Sequence, residues 1–177
     1  MRESKSKNLI ITALMIAIVA LATMFIRIPT INGYINLGDA MVYFSAFLLG
    51  KKYGALAAGL GSALGDVLGG YAIWAPWTFV IKGLMALIAG YFFEKSLDHK
   101  KIAGMPIMAY AGMVLAGLEM CLGYYIANGT IYGNWIVALG EVIPNMGQFS
   151  VGIVVSVLLV KALAKTPVKN VFKYEID

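Results

Sequence analysis

From Asn8 to Ile28 the chain carries no charged side chain except Arg27. A bilayer core takes about 20 apolar residues of helix, so this stretch alone commits the segment to a membrane. It is too long for the hydrophobic region of a cleaved leader, and no small-x-small cleavage site stands apart from it. Composition agrees. Of the 177 residues, 60% are hydrophobic and 13% charged, where a soluble domain has about half and about a quarter. The expected fold class is an all-α integral membrane protein with no separate extramembrane domain and no folded hydrophilic surface for nucleic acid. The single Cys121 excludes an internal disulfide and cysteine-based metal clusters. The single His99, in a polar loop, excludes two-histidine metal motifs.

The apolar segments and their breaks predict one transmembrane domain, 1–177, with six helices at about 8–28, 39–49, 53–69, 76–93, 105–127 and 140–164. Pro29 stops the first, and turn chemistry follows in Thr30-Ile31-Asn32-Gly33. Gly50-Lys51-Lys52 separates the second from the third. The polar tail beyond Lys165 is expected to fray. Twelve of the fourteen basic residues fall in four places: Arg2, Lys5 and Lys7; Lys51 and Lys52; Lys95, Lys100 and Lys101; Lys161, Lys165, Lys169 and Lys173. With six spans all four lie on one side, which the positive-inside rule makes the cytoplasm, so both termini are expected inside.

Six ionisable residues remain: Arg27, Asp39, Asp66, Lys82, Glu119 and Glu141. A charge at membrane depth costs about 2.5–3.5 kcal/mol even on lenient scales, so each needs a partner, water or a function. Asp39 has a purely local alternative as an N-cap. In the expected topology all six lie in the outer half of the membrane. Four acids against two bases cannot all pair, and the surplus points to a polar pocket or to a ligand with donors. Aromatic and amide residues gather at the same level, among them Tyr34, Asn36, Tyr71, Trp74, Trp77, Tyr124, Tyr125, Asn128, Tyr132, Asn134 and Trp135. An interfacial belt explains part of that set, but the opposite boundary has no equal. Aromatic walls with a few polar groups suit a small planar ligand.

Glu141, Asn145 and Gln148 stand at i, i+4 and i+7, one face of the last helix, with Pro144 between them leaving a backbone acceptor free. Ala57, Gly61, Gly65 and Gly69 recur every four residues and read as close helix packing. Ala13 and Ala17 form a further small-x3-small pair.

The stretch Tyr34-Ile35-Asn36-Leu37-Gly38-Asp39-Ala40, followed by Gly54-Ala55-Leu56-Ala57-Ala58-Gly59, Ser62-Ala63-Leu64-Gly65-Asp66-Val67-Leu68-Gly69-Gly70-Tyr71, Ala75-Pro76 and Ile81-Lys82-Gly83, resembles the substrate-binding S components of energy-coupling factor (ECF) vitamin transporters. The likeness covers about residues 8–164. It is greatest toward the hydroxymethylpyrimidine or vitamin B6 branch, with the riboflavin-binding members nearby. The resemblance implies a six-helix fold and a subunit of the prokaryotic cell membrane that binds a small aromatic vitamin or precursor. It implies as partners a transmembrane coupling component and two ATPase subunits. No GxxxxGK[ST] occurs here, so the chain is expected to carry no cofactor of its own, and ATP is used by the partner ATPases. By the same resemblance, Ala13 and Ala17 match the docking pair of the family's first helix, the loop around Tyr34 its gating loop, and Asn145 a ligand-binding asparagine. Lys82 stands where thiamin-binding members have a carboxylate, which disfavours thiamin.

The expected substrate-binding set is Tyr34, Asn36, Asp66, Trp74, Lys82, Glu119, Glu141, Asn145 and Gln148, with Lys82 also considered as the counter-ion of Glu119 or Asp66. A riboflavin-binding S component is the nearest alternative. A self-sufficient proton-coupled carrier using Asp66, Glu119 and Glu141 is a second. Without HExxH, GxSxG or paired catalytic aspartates, an enzyme is not expected.

Overall fold

The structure, a computed structural model, describes residues 5–25, 27–30, 33–96, 101–102 and 105–174. Arg2, His99 and Lys100, named above as loop or boundary residues, lie outside the described residues, as do Ile31 and Asn32 of the expected turn. Helix α1 spans Lys5–Phe25. Where a plain loop was expected, two short strands follow, β1 (Arg27–Pro29) and β2 (Tyr34–Asn36). They pair antiparallel with Arg27 opposite Asn36, Ile28 opposite Ile35 and Pro29 opposite Tyr34. Pro29 donates no backbone hydrogen, so it suits the end of such an edge. Helix α2 is Gly38–Leu68, α3 Ala75–Lys95, α4 Ile107–Tyr132, α5 Trp135–Leu139 and α6 Val142–Ala164. A second small ribbon, β3 (Lys101–Ile102) with β4 (Met105–Pro106), precedes α4.

The expectation of six spans with both ends cytoplasmic is corrected here. Among the described residues, four helical segments are long and apolar enough to cross a membrane: Lys5–Phe25, Ala75–Lys95, Ile107–Tyr132 and Trp135–Ala164. The expected helices at 39–49 and 53–69 are instead one run, α2, bent at Gly50 with φ 76° and ψ 175°. That backbone region suits glycine, so the chain turns without ending the helix. Lys51 and Lys52 thereby fall within a helical element rather than in a loop, and the charge-based assignment of sides, which depended on six spans, falls with the count.

Helix α2 packs against α1 on one side and α3 on the other; α3 continues to α4, and α6 closes against both α2 and α4. Inside lipid there is no hydrophobic drive between helices, so close contact is set by small residues. The four-residue stripe serves that purpose within the chain. A methyl at Gly61 would meet Ile16 O at 2.7 Å, and one at Gly65 would meet Thr23 Cβ at 2.8 Å. Gly69 lies directly against the Arg27 guanidinium. Leucines face outward instead, Leu14, Leu84, Leu115, Leu122 and Leu158 among them, as a lipid-facing surface requires.

The tail does not fray as expected. A 3-10 turn at Pro167–Val171 returns the chain to the bundle, where Lys173 N–H donates to Leu48 O at 3.1 Å. Phe172 packs on Phe44 and Phe47, and the buried Tyr174 on Phe47 and Phe93.

Candidate functional site

A cavity of about 40 Å³ lies at one end of the bundle, lined by Gly33, Tyr34, Asn36, Asp66, Trp74, Thr78, Tyr124, Asn128, Glu141, Asn145 and Gln148. The hairpin contributes Gly33, Tyr34 and Asn36; the end of α2 contributes Asp66, the start of α3 Trp74 and Thr78, and the last turns of α4 Tyr124 and Asn128. Glu141 comes from the N-cap of α6, Asn145 and Gln148 from its first turns. Seven of the nine residues singled out from sequence meet here; Lys82 and Glu119 do not.

Lys82 lies below the cavity. Trp74, Thr78 and Lys82 follow one another at four-residue steps along one face of α3, so Lys82 sits about 12 Å of helix beneath Trp74. Its Nζ donates to Asp39 Oδ1 and to Met120 Sδ at 2.8 Å, and lies 5.2 Å from the Tyr124 ring centre. Its ion-pair partner is therefore Asp39, neither Glu119 nor Asp66. Both residues of the pair are fully buried. Asp39 is not an N-cap either: Leu37 holds that position and Asp39 sits in the first turn, where the helix dipole favours a carboxylate.

Glu119 is offset by one residue from Met120, hence about 100° around α4 from the row of Met120, Tyr124 and Asn128. It is not among the residues that line the cavity, and its buried Oε2 makes no hydrogen bond among the described residues.

Gln148 ties the lysine pair to the hairpin. Its Nε2 donates to Asp39 Oδ2 at 3.0 Å, and its Oε1 accepts from Asn36 N–H at 2.7 Å. The carboxylate accepts only, which leaves the amide one orientation and directs its carbonyl to the strand. Asn36 Oδ1 in turn accepts from Gly38 N–H at 2.7 Å, fixing the passage from β2 into α2.

Arg27 performs a second tie. Its Nη1 donates to Gly69 O at 3.0 Å and its Nη2 to Gly65 O at 2.8 Å, carbonyls of the negative end of α2. The guanidinium stands 4.4 Å from the Tyr34 ring centre and 5.5 Å from that of Tyr71. Tyr34 is held over the cavity with its hydroxyl donating to Asp66 Oδ1. Burial beside that carboxylate pushes the phenol well above its ordinary range, so it remains a donor. The other oxygen, Asp66 Oδ2, is buried and makes no hydrogen bond among the described residues.

On α6, Asn145 Nδ2 donates to Glu141 O at 2.8 Å, within the turn that Pro144 disturbs. With its amino group anchored to the backbone, Asn145 keeps its carbonyl oxygen as an acceptor. Trp74 packs against Tyr124 and Tyr132, and Tyr124 donates to Thr78 Oγ1 at 3.2 Å. Tyr125 and Trp135 pair further out, and Asn134 caps α5 by accepting from Ile136 and Val137 N–H. Gly33, Thr78, Tyr124 and Asn128 were missing from the sequence set. For Thr78 the signal was its place midway between Trp74 and Lys82, and for Tyr124 and Asn128 their i, i+4 spacing on α4.

A family model described as ECF-type riboflavin transporter, S component, matches residues 3–165. A Pyrococcus woesei protein described as an uncharacterized protein in gap 3′ region is 40% identical over 117 residues, 65% of this chain and 74% of that protein. The thiamine precursor transporter HmpT of Lactococcus lactis subsp. cremoris is 27% identical over 139 residues, 78% of this chain and 75% of its own length. A solved structure, described as the S component of a bacterial ECF transporter, shares the fold with a TM-score of 0.72 over 91% of this chain and 97% of that one, at 21% identity. The chain thus belongs to the ECF-type riboflavin transporter S component family, and it is a substrate-binding transport subunit of the prokaryotic plasma membrane, not an enzyme.

Proposed function

We propose that this subunit binds a small aromatic vitamin or precursor of the hydroxymethylpyrimidine or pyridoxine type in the cavity beneath the hairpin. The observation that carries this reading is the buried, unbonded Asp66 Oδ2 in a wall with Trp74, Tyr124, Glu141 and Asn145. An aromatic ring fits between the aromatic walls, and its amino or hydroxyl donors answer Asp66 Oδ2 and the Asn145 carbonyl oxygen. The relation to a thiamine precursor transporter supports it. A volume of about 40 Å³ is well below the roughly 300–1,000 Å³ of ordinary ligand pockets, so the hairpin moves aside for binding. The family description favours riboflavin as the second reading, and its larger ring system demands a wider opening.

In this reading Tyr34, Asn36, Asp66, Trp74, Glu141, Asn145 and Gln148 face the ligand, while Lys82 positions Asp39 and Gln148 from below. Ala13 and Ala17 lie on the exposed face of α1 beside Ile10, Leu14 and Leu21. That face is the proposed docking site for the transmembrane coupling component, whose two ATPase partners supply the energy. Native mass spectrometry of the purified subunit, followed by calorimetry against a panel of B vitamins, tests the ligand. Sub-micromolar binding of an aminopyrimidine or pyridoxine-like compound is expected; tight binding of riboflavin alone favours the second reading. Uptake that persists without the ATPases would instead favour a self-sufficient carrier.

A further inference from the structure

We propose that the pocket sorts its ligands by charge, accepting the free alcohol of a donor-bearing aromatic compound and rejecting the phosphate ester of the same compound. The inference rests on the ligand reading above and adds to it a rule of selection.

A phosphate needs fixed positive charge or a cluster of free N–H donors. Among the described residues the cavity wall contains two carboxylates, Asp66 and Glu141, and no lysine, arginine or histidine. Both neighbouring cations are engaged elsewhere. Lys82 holds Asp39 and Met120. Arg27 donates to the carbonyl oxygens of Thr23, Gly65 and Gly69.

Among the described residues, the place that most resembles an anion seat is the start of α2, where a long helix begins above a buried lysine. The chain's own groups fill it. Asp39 supplies the anion, Gly38 N–H goes to Asn36 Oδ1, Ala40 N–H to Leu37 O, and Asn36 N–H to Gln148 Oε1. What the wall keeps in surplus is acceptors: Asp66 Oδ2 and the carbonyl of Asn145, whose amino group is anchored on Glu141 O. A phosphate brought here meets the like charge of two buried carboxylates, and repulsion between like charges strengthens away from bulk water.

The test is calorimetry on the detergent-solubilised subunit with hydroxymethylpyrimidine, its phosphate ester and its neutral acetyl ester, and the same three forms of pyridoxine. The phosphate ester should bind at least 100-fold more weakly than its alcohol, and the acetyl ester within tenfold of it. In Asp66→Asn/Glu141→Gln the phosphate penalty should shrink to under tenfold. A phosphate ester that binds as well as its alcohol overturns the charge rule and leaves the ligand reading standing. An acetyl ester rejected as strongly as the phosphate overturns it too, because size and not charge would then be the filter, and this comparison needs only the wild-type protein. Binding of neither alcohol sinks the ligand reading itself, and the charge rule with it.

Discussion

The two ends of α3 are closed in opposite ways. At Trp74 the hairpin covers the cavity through a handful of directional bonds: Tyr34 to Asp66, Asn36 N–H to Gln148, and Arg27 to the end of α2. At Phe93, roughly 30 Å of helix away, the C-terminal tail closes the bundle with aromatic rings. Phe47, Phe93 and Tyr174 stand with ring centres 5.7–6.0 Å apart, joined by a 3.1 Å bond from Lys173 N–H to Leu48 O and a 3.4 Å bond from Tyr174 to Gly90 O. Hydrogen bonds exchange for a ligand's or for water's at little net cost, whereas tightly packed rings are lost all at once. In the proposed reading the polar end opens for the ligand and the aromatic end stays shut.

The sharpest challenge to that contrast is Lys82→Met, because it attacks a fixed element within the polar end. Removing one partner of a buried ion pair typically costs about 3–5 kcal/mol, since the other charge stays buried and unpaired. Thermal unfolding in detergent should show a loss of that order, with partial recovery in Lys82→Met/Asp39→Asn. A stability unchanged by Lys82→Met would mean that the buried pair is no fixed element of the polar end.

Tyr174→Ala addresses the other end. Truncating a buried aromatic to alanine costs about 3–5 kcal/mol through lost contacts and the space left behind. Affinity for the ligand should stay within twofold, because the tail packs on Phe44, Phe47 and Phe93, none of which lines the cavity. If affinity fell in step with stability, the two closures would be coupled and the contrast would fail.

How legible these ends were in the sequence follows the same divide. Glu141, Asn145 and Gln148 stood out because buried polar groups in a membrane chain are costly, so their shared face marks a site. Asp39 as the partner of Lys82 did not stand out: four acids competed for one lysine, and only the packing of α2 on α3 decides among them. Glu119 stands one residue off the row of Met120, Tyr124 and Asn128, an offset that spacing alone did not weigh. The tail was obscured by Lys165, Lys169 and Lys173, whose polarity drowned Phe172 and Tyr174. The span count went wrong at Gly50, where a lysine pair looked like a loop although a single positive φ lets the helix bend and continue.

Within the polar end, Asp66, Glu141 and Asn145 are expected to carry ligand affinity. Alanine at each should weaken binding by about 1–3 kcal/mol, or roughly five- to 150-fold, with unfolding temperatures little changed. Affinities equal to wild type in all three variants would remove the cavity as the ligand site.

The smallest expected effect falls on Tyr34→Phe, and it probes the opening itself. The ring remains to stack on Arg27 and Tyr71, so the hairpin keeps its place; only the hydroxyl bonded to Asp66 is lost. Removing one exchangeable hydrogen bond costs about 0.5–1.5 kcal/mol. Because that bond belongs to the closed hairpin, the loss should appear as ligand dissociation faster by up to about tenfold, with association unchanged, in stopped-flow fluorescence using Trp74. The phenol's raised pKa keeps it protonated through neutral pH, so wild-type dissociation should show no step there from Tyr34. Were Tyr34→Phe to slow association instead, the hydroxyl would be guiding the ligand inward, and the hairpin would be part of the entrance and not its cover.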